Sequence, residues 1–453
     1  VSLTATTTGQ RRTRAWPLLL VTGLAGFMTT LDNTVVTVAI PTIQRDLDAS
    51  LAALEWVATG YILTFAGLML AGGRLADVHG HRRVLLAGLA AFAAASLAAG
   101  LAGSIGVLIA ARLAQGVGAA LILPATLAAL AGREERQRSM GVAVWMASGA
   151  AALALGPVAG GYVSQHLHWS WVFLANVPLG AVIMALAAVA VPPGPRPVGG
   201  RELDGAGVVA SVVCLAAGTF ALIHGGAHGW ASPAVVAAVL VCAGGGAAFV
   251  VAERRAREPM VDLALFRVRS FAGGVAAQVL WGLGVNGVFF YTAIFLQGVL
   301  RFTPTDSGMA FVPLALLVVL VTPVVPLLER WLGAGRTVAA GLVLVAGGMA
   351  LAATLEAGDG WGRLLPAVCA IGVGSALTMP LGSAVLGAVP EPRAGVAGGI
   401  FSVSREISGL FGIAAVGVIV HAAGGFAAGY AVGLLVAAGL VLAGALISLV
   451  TLP

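Results

Sequence analysis

Charge is what this chain has least of. Only 9% of its 453 residues are Asp, Glu, Lys or Arg, and lysine is absent, so all 24 basic residues are arginine. An ordinary water-soluble domain has about 25% charged residues, which excludes a water-exposed surface for most of this chain. The missing lysine also rules out any complete G-x-x-x-x-G-K-[ST] phosphate loop, and with it ATP as a P-loop energy source. By itself the all-arginine usage reads as the codon habit of a GC-rich genome. Cysteine is scarce as well. Cys214, Cys242 and Cys369 fall in apolar runs without metal-ligand spacing, so they read as packing residues, and neither a cofactor nor a metal site is expected. What is abundant is apolar: 59% hydrophobic residues, 64 glycines and a mean hydropathy of +1.02 describe a polytopic membrane protein. The net charge of +6 does not point to nucleic acid, because the arginines come in short clusters between apolar runs, the pattern of membrane topology.

Apolar windows of about 20 residues, enough to cross about 30 Å of hydrocarbon, fit fourteen times: 16–40, 52–73, 84–103, 105–130, 140–163, 172–191, 206–225, 232–251, 271–297, 307–328, 337–355, 363–388, 394–421 and 426–450. The hairpin through Gly103 and Ser104 is especially tight. An even count puts both termini on one side. Arg112 and Arg405 lie within spans and only Arg45, Arg301 and Arg363 fall on the far side, so nineteen of the 24 arginines share the side of the termini. The positive-inside rule then makes both termini cytoplasmic, in a bacterial plasma membrane. The first run flows into further spans without a small-residue cleavage site and reads as a retained helix. A monomer is expected, with the bilayer as its surroundings.

An internal repeat organises these spans. Gly116-Val117-Gly118-Ala119-Ala120-Leu121-Ile122-Leu123-Pro124 in span 4 returns as Gly372-Val373-Gly374-Ser375-Ala376-Leu377-Thr378-Met379-Pro380 in span 12, 256 residues later. Spans 1 to 6 therefore match spans 9 to 14, with spans 7 and 8 inserted. The expected division is 1–191 for the first six-helix bundle, 192–270 for linkers and the inserted pair, and 271–453 for the second bundle. The Pro/Gly-rich segment 192–204 leaves the first half, and the apolar residues of 253–269 (Val261, Leu263, Leu265, Phe266) suit an amphipathic stretch on the membrane surface.

Two charges break the apolar pattern. Asp32 in span 1 and Arg112 in span 4 count to about 12 Å and about 10 Å below the same membrane boundary at 1.5 Å per residue, so they can meet. Their repeat equivalents are Val288 and Val368, which places this pair in the first half alone. Ionisable groups within a bilayer cost roughly 2.5–3.5 kcal/mol each on insertion scales and mark proton or substrate paths; the alternative is a permanent structural ion pair. Arg405 and Glu406 lie near the middle of span 13, where Glu406 is a candidate second protonation site or the partner of Arg405. His224 and His228, at the far end of span 7, read as loop residues.

The segments Leu108–Ala120 and Leu31–Pro41 resemble the fourth-span and first-span signatures of drug/proton antiporters of the major facilitator superfamily, fourteen-span branch. Gly73-Arg74-Leu75-Ala76-Asp77-Val78-His79-Gly80-His81-Arg82-Arg83 resembles the superfamily's loop between spans 2 and 3, with Val78 and His81 where basic residues are usual. Gly156-Pro157-Val158-Ala159-Gly160-Gly161 is similar to the antiporter signature of span 5, and Trp169–Gly180 also looks like this branch. Five motifs in the right order on the right spans make the resemblance specific. It implies an all-α major facilitator fold and proton-coupled export of small amphipathic drugs or antibiotics.

On this reading Asp32, Arg112 and Glu406 couple protons. Asn33, Tyr61, Gln278, Asn286, Phe290, Tyr291 and Arg405 offer a mixed amide and aromatic lining for substrate. Asp77 can bridge helix ends with Arg82 or Arg83, Gly73 and Gly80 permitting the tight approach. Gly156, Gly160 and Gly161 with Pro157 allow close packing and a bend in span 5. A nutrient symporter or uniporter remains open. So does a membrane-embedded lipid-modifying enzyme, which would need a polar loop of convergent acids, or a receptor that binds without transport.

Overall fold

The computed structural model describes residues 15–131, 134–192, 204–256 and 261–452. Among these are fourteen helices long and apolar enough to cross a membrane, and no strand. They are α1 (Ala15–Asp46), α2 (Leu51–His79), α3 (His81–Gly100), α4 (Ile105–Ala131), α5 (Glu135–His166), α6 (Trp171–Ala190), α7 (Gly205–His228), α8 (Pro233–Arg255), α9 (Arg269–Gly298), α10 (Pro304–Leu332), α11 (Ala334–Ala352), α12 (Trp361–Gly387), α13 (Ala394–Ala422) and α14 (Phe426–Thr451). All fourteen windows correspond to helices. Boundaries moved most in α1, which runs past Pro41 to Asp46, and in α2, which runs past Gly73 to His79. His224 and His228 lie within the last turns of α7, not in a loop, with their rings stacked 4.2 Å apart. Much of the linker 192–204 lies outside the described residues.

Local chemistry explains where helices stop. Ser50 accepts a hydrogen bond from the Ala53 N–H at the start of α2, and Thr303 accepts one from the Asp306 N–H at the start of α10. Gly80 has φ +91°, so it makes the sharp α2–α3 turn that a side chain would strain. α10 is interrupted near Ala310 and again at Thr322–Val324, where Pro313, Pro323 and Pro326 withdraw backbone donors. α12 breaks at Thr378, just before Pro380, whereas the matching Pro124 sits inside a continuous α4.

The packing obeys the repeat. In the first half α1 packs on α5 and α6, α4 on α2 and α3, and α3 on α6; in the second α9 packs on α13 and α14, α12 on α10 and α11, and α11 on α14. Adding eight to each helix number converts one set into the other. The repeated Gly-x-Gly shows why. A methyl group at Gly116 would strike the Tyr61 carbonyl of α2, and one at Gly118 would lie 2.7 Å from the Phe92 nitrogen of α3. Their equivalents meet the equivalent helices: Gly372 would come within 2.9 Å of Leu314 O on α10, and Gly374 within 2.5 Å of Gly341 O on α11.

The halves touch through α1 with α9, α2 with α13 and α5 with α10, while α7 lies against α2 and α13 and carries α8 on its other side. At the face away from Ala15 the halves are drawn together. Methyl groups at Gly161 and Gly308 would overlap the backbones of Pro304 and Pro157. Gln297 Nε2 donates to Val38 O at 3.0 Å, and the Thr305 N–H donates to Gln165 Oε1 at 3.1 Å. The stretch after α8 forms a short 3₁₀ turn, Leu263–Arg267, that buries Leu265 and leaves Leu263 and Phe266 exposed. Arg393 pairs with Asp262 there at 3.2 Å.

Candidate functional site

Five helices of the first half converge on Asp32. Its residue is 1% exposed and Arg112 is 0% exposed. Arg112 Nη1 donates to Asp32 Oδ2 at 2.5 Å and to Gln115 Oε1 at 2.9 Å. Gln115, three residues further along α4 and therefore on the same side of it, turns its amide nitrogen to Asp32 Oδ1 at 3.1 Å and to Ser96 Oγ of α3 at 2.7 Å. Asn176 of α6 donates to the same Oδ1 at 2.7 Å. From α2, Val57 O accepts from Arg112 Nε at 3.1 Å, and the Tyr61 ring lies 4.5 Å from the guanidinium carbon, a cation–π distance. The Phe173 ring is 5.8 Å away, and Tyr61 O–H donates to Thr29 O at 3.4 Å.

Every recorded polar neighbour of the Asp32 carboxyl group donates to it, and one of them is a cation. Such a pair is no stability device, because desolvating two charges offsets their attraction. Removing one partner strands the other, at a cost of roughly 3–5 kcal/mol. A proton arriving at Asp32 would cancel the charge opposite Arg112 and release Arg112 and Gln115 to other acceptors. Arg112 Nη2 already has no partner among the described residues.

Glu406 makes no hydrogen bond to this cluster and is bonded instead to Arg405. Arg405 donates to its Oε1 from Nε at 3.2 Å and Nη2 at 3.0 Å, and with side-chain exposures of 53% and 17% the pair opens onto accessible space from the middle of α13. Asn33 and Asn286 are half-buried, Asn286 donating to Gly282 O at 3.1 Å. Four other residues expected to line the substrate path are packed between helices in this conformation. Tyr61 covers Arg112; Phe290, Tyr291 and Gln278 are 2%, 0% and 6% exposed. Their bulk fills the interfaces that α9 makes with its neighbours, which removes them from open space.

The glycines of α5 sit against α1 and α10. A methyl group at Gly160 would lie 2.5 Å from Val35 O, one at Gly156 would strike Thr34, and Gly161 faces Pro304. Pro157 supplies the carbonyl that Gly308 approaches. In the α2–α3 loop Gly80 makes the turn, while Gly73 lies in ordinary contact with Pro124. Asp77 and Arg83 are exposed, and among the described residues no ion pair joins Asp77 to Arg82 or Arg83. The bridge expected from the spacing is therefore not made here.

Several residues of the site carry no charge signal in the sequence. Gln115 and Asn176 lie inside recognisable motifs, but an amide between apolar residues does not announce its partner. Glu55 of α2 is also buried, at 0% exposure, and accepts a hydrogen bond from Tyr291. Its signal was an acid just inside an apolar window, close enough to the end to pass for an interfacial residue. Cys214 and Cys242 face each other across α7 and α8 with sulfurs 3.7 Å apart, and no cluster of metal-ligating residues occurs among the described residues.

The family described as Major Facilitator Superfamily matches residues 22–413. A tetracenomycin C resistance and export protein of Streptomyces glaucescens is 32% identical, over 90% of this chain and 76% of its own. A cephamycin export protein of Amycolatopsis lactamdurans is 37% identical, over 86% of this chain and 82% of its own. Among solved structures, a POT family transporter in complex with a thioalcohol-conjugated peptide superposes with a TM-score of 0.72 at 13% identity, covering 96% of this chain and 95% of that one.

Proposed function

The chain belongs to the Major Facilitator Superfamily, and from that premise we propose that it exports small amphipathic organic compounds, antibiotics among them, in exchange for protons. It is a multi-pass membrane transporter, not an enzyme. Relatives named for the export of tetracenomycin C and of cephamycin support the substrate class and the direction of transport. The observation that carries the proton half of the reading is the enclosed Asp32–Arg112 pair, a titratable carboxyl group opposite a fixed cation inside the bundle.

The arginine bias assigns the Ala15 face to the cytoplasm. The closed face, where Gly161 meets Pro304, is then the outer one. The halves, 1–191 and 271–453, rock about a central site with 192–270 as linkers and inserted spans. Asp32 takes its proton while the site faces outward, which loosens Arg112 and Gln115 and accompanies substrate release. Returned to the cytoplasmic side, it gives the proton up and the donor cluster closes on it again. Glu406, Asn33, Asn286 and Arg405 are proposed to meet substrate or a second proton from the accessible space. The chain acts as a monomer.

The test is transport in proteoliposomes, with substrates first chosen from dyes and antibiotics whose accumulation in cells depends on this chain and on an uncoupler-sensitive gradient. Asp32→Asn should abolish uptake driven by a pH gradient and keep substrate counterflow. Gradient-driven uptake by the Asn variant would refute the role. Substrate addition should move protons in the opposite sense to substrate; movement in the same sense would make the protein a symporter.

A further inference from the structure

A second carboxyl group is buried between the halves and takes no part in the Asp32 cluster. Glu55 sits one turn into α2, about 6 Å from that helix's outer end, and is 0% exposed. Its polar neighbours come from the other half. Tyr291 of α9 donates its O–H to Glu55 Oε1 at 2.7 Å and lies 3.3 Å from Ile413 O. His421 of α13 places Nδ1 3.6 Å from the same carboxylate oxygen while bonding Gly417 O at 2.8 Å. Glu55 Oε2 has no hydrogen-bond partner among the described residues. Of the other ionisable groups on helices packed against α2, Asp32 pairs with Arg112, Arg405 with Glu406 and Asp46 with His168, Arg45 bonds Pro41 O, His224 stacks with Phe220 and His228, and His81, Arg82 and Arg83 lie in the first turn of α3, at the other end of α2 from Glu55.

We infer that Glu55 is a proton-dependent latch of the outer gate, taking up a proton from the outer solution as the halves close over it and returning it as they part. The inference rests on the alternating-access reading above but not on the role of Asp32. The contrast between the two acids carries it. Asp32 meets two amide donors and a guanidinium, whereas Glu55 meets one phenol, stands 3.6 Å from an imidazole and leaves Oε2 without a partner among the described residues. A charge enclosed with so little compensation is costly. A proton on Oε2 removes it and still leaves Oε1 to accept from Tyr291. When the halves separate, Tyr291 and His421 depart with the second half and Glu55 meets water, where a carboxyl group is ionised near neutral pH. Closure then requires one proton per event. His421, with 18% of its side chain exposed, stands between Glu55 and the outer water and can pass it in.

Linkage fixes the sign. The closed state binds the extra proton, so acid favours closure and the open-to-closed ratio rises with pH, by up to about tenfold per unit. Spin labels on cysteines at Gly103 and Gly424, two outer-loop positions with open space around them, would report this as a distance in a chain whose three native cysteines are replaced by serine. In a chain that also carries Asp32→Asn, whose own protonation would otherwise favour the outward-open form, the outer distance should lengthen between about pH 5 and about pH 8. Glu55→Gln, a neutral isostere, should stay short at every pH, and Glu55→Asp should restore the response. Tyr291→Phe should lengthen the distance at a given pH. A Glu55→Gln protein with an unchanged pH response, or a Tyr291→Phe protein with an unchanged distance at every pH, would overturn the latch. No substrate or gradient is present in this measurement, so its failure leaves the Asp32 transport result standing, and the converse holds.

Discussion

At the scale of single residues, the site is a matter of donor geometry more than of charge alone. Arg112 supplies four contacts that an ammonium could not reproduce together: Nη1 to Asp32 and to Gln115, Nε to Val57 O, and a flat face to Tyr61. Arg112→Lys keeps the charge and loses that fork. Each charge-assisted hydrogen bond forgone is worth about 1.5–3 kcal/mol, so proton-driven transport should fall at least about tenfold with normal amounts of protein in the membrane. A rate within twofold of wild type, read by initial uptake in proteoliposomes, would mean the guanidinium geometry is incidental. Asp32 and Arg112 were legible in the sequence because full charges stand out among apolar residues and helix rise converts position into depth. Gln115, Asn176 and Ser96 were not, since amides and hydroxyls are common enough in membrane helices to carry no such contrast. Glu55 was obscured by its place near a helix end, where acids ordinarily reach water.

At the scale of helices, glycine decides how near two elements come. Gly161 has room for no side chain, because Pro304 of the opposite half occupies the position a methyl group would take; Gly149, on the same helix, has nothing within 4 Å. This gives a matched pair of substitutions. Gly161→Val should force the outer ends apart, lower transport, and raise the reactivity of a cysteine at Gln297 towards a membrane-impermeant maleimide. Gly149→Val should leave both readings unchanged. If the two variants behave alike, the close approach at Gly161 has no bearing on the gate. The Gly-x-Gly repeat was readable as a repeat, and its partners in α2, α3, α10 and α11 follow the same pattern. The break of α12 before Pro380 was not readable, because Pro124 in the same motif is accommodated by an unbroken helix. Proline alone does not say whether its surroundings will hold a helix together.

At the scale of the whole molecule, span count, repeat and the arginine bias could all be derived from composition and order, because the bilayer imposes length and sidedness on every helix. Which helices of one half touch the other required the structure. Exchange of one proton for a neutral compound moves net charge, so a membrane potential of about 100 mV contributes about 2.3 kcal/mol, enough for roughly a forty-fold gradient. With no pH difference imposed, a potassium diffusion potential should therefore still drive substrate movement in proteoliposomes. Complete indifference to the potential would exclude a charge-moving cycle. The outer seal has one further consequence. Where Gly161 abuts Pro304 and Gly308 abuts Pro157, the nearest atoms are main chain, so the seal asks for glycine at two positions and for no side chain from the interior walls. Side chains along the interior walls can thus diversify towards new antibiotics over evolutionary time, while the machinery that shuts the door behind them is inherited unaltered.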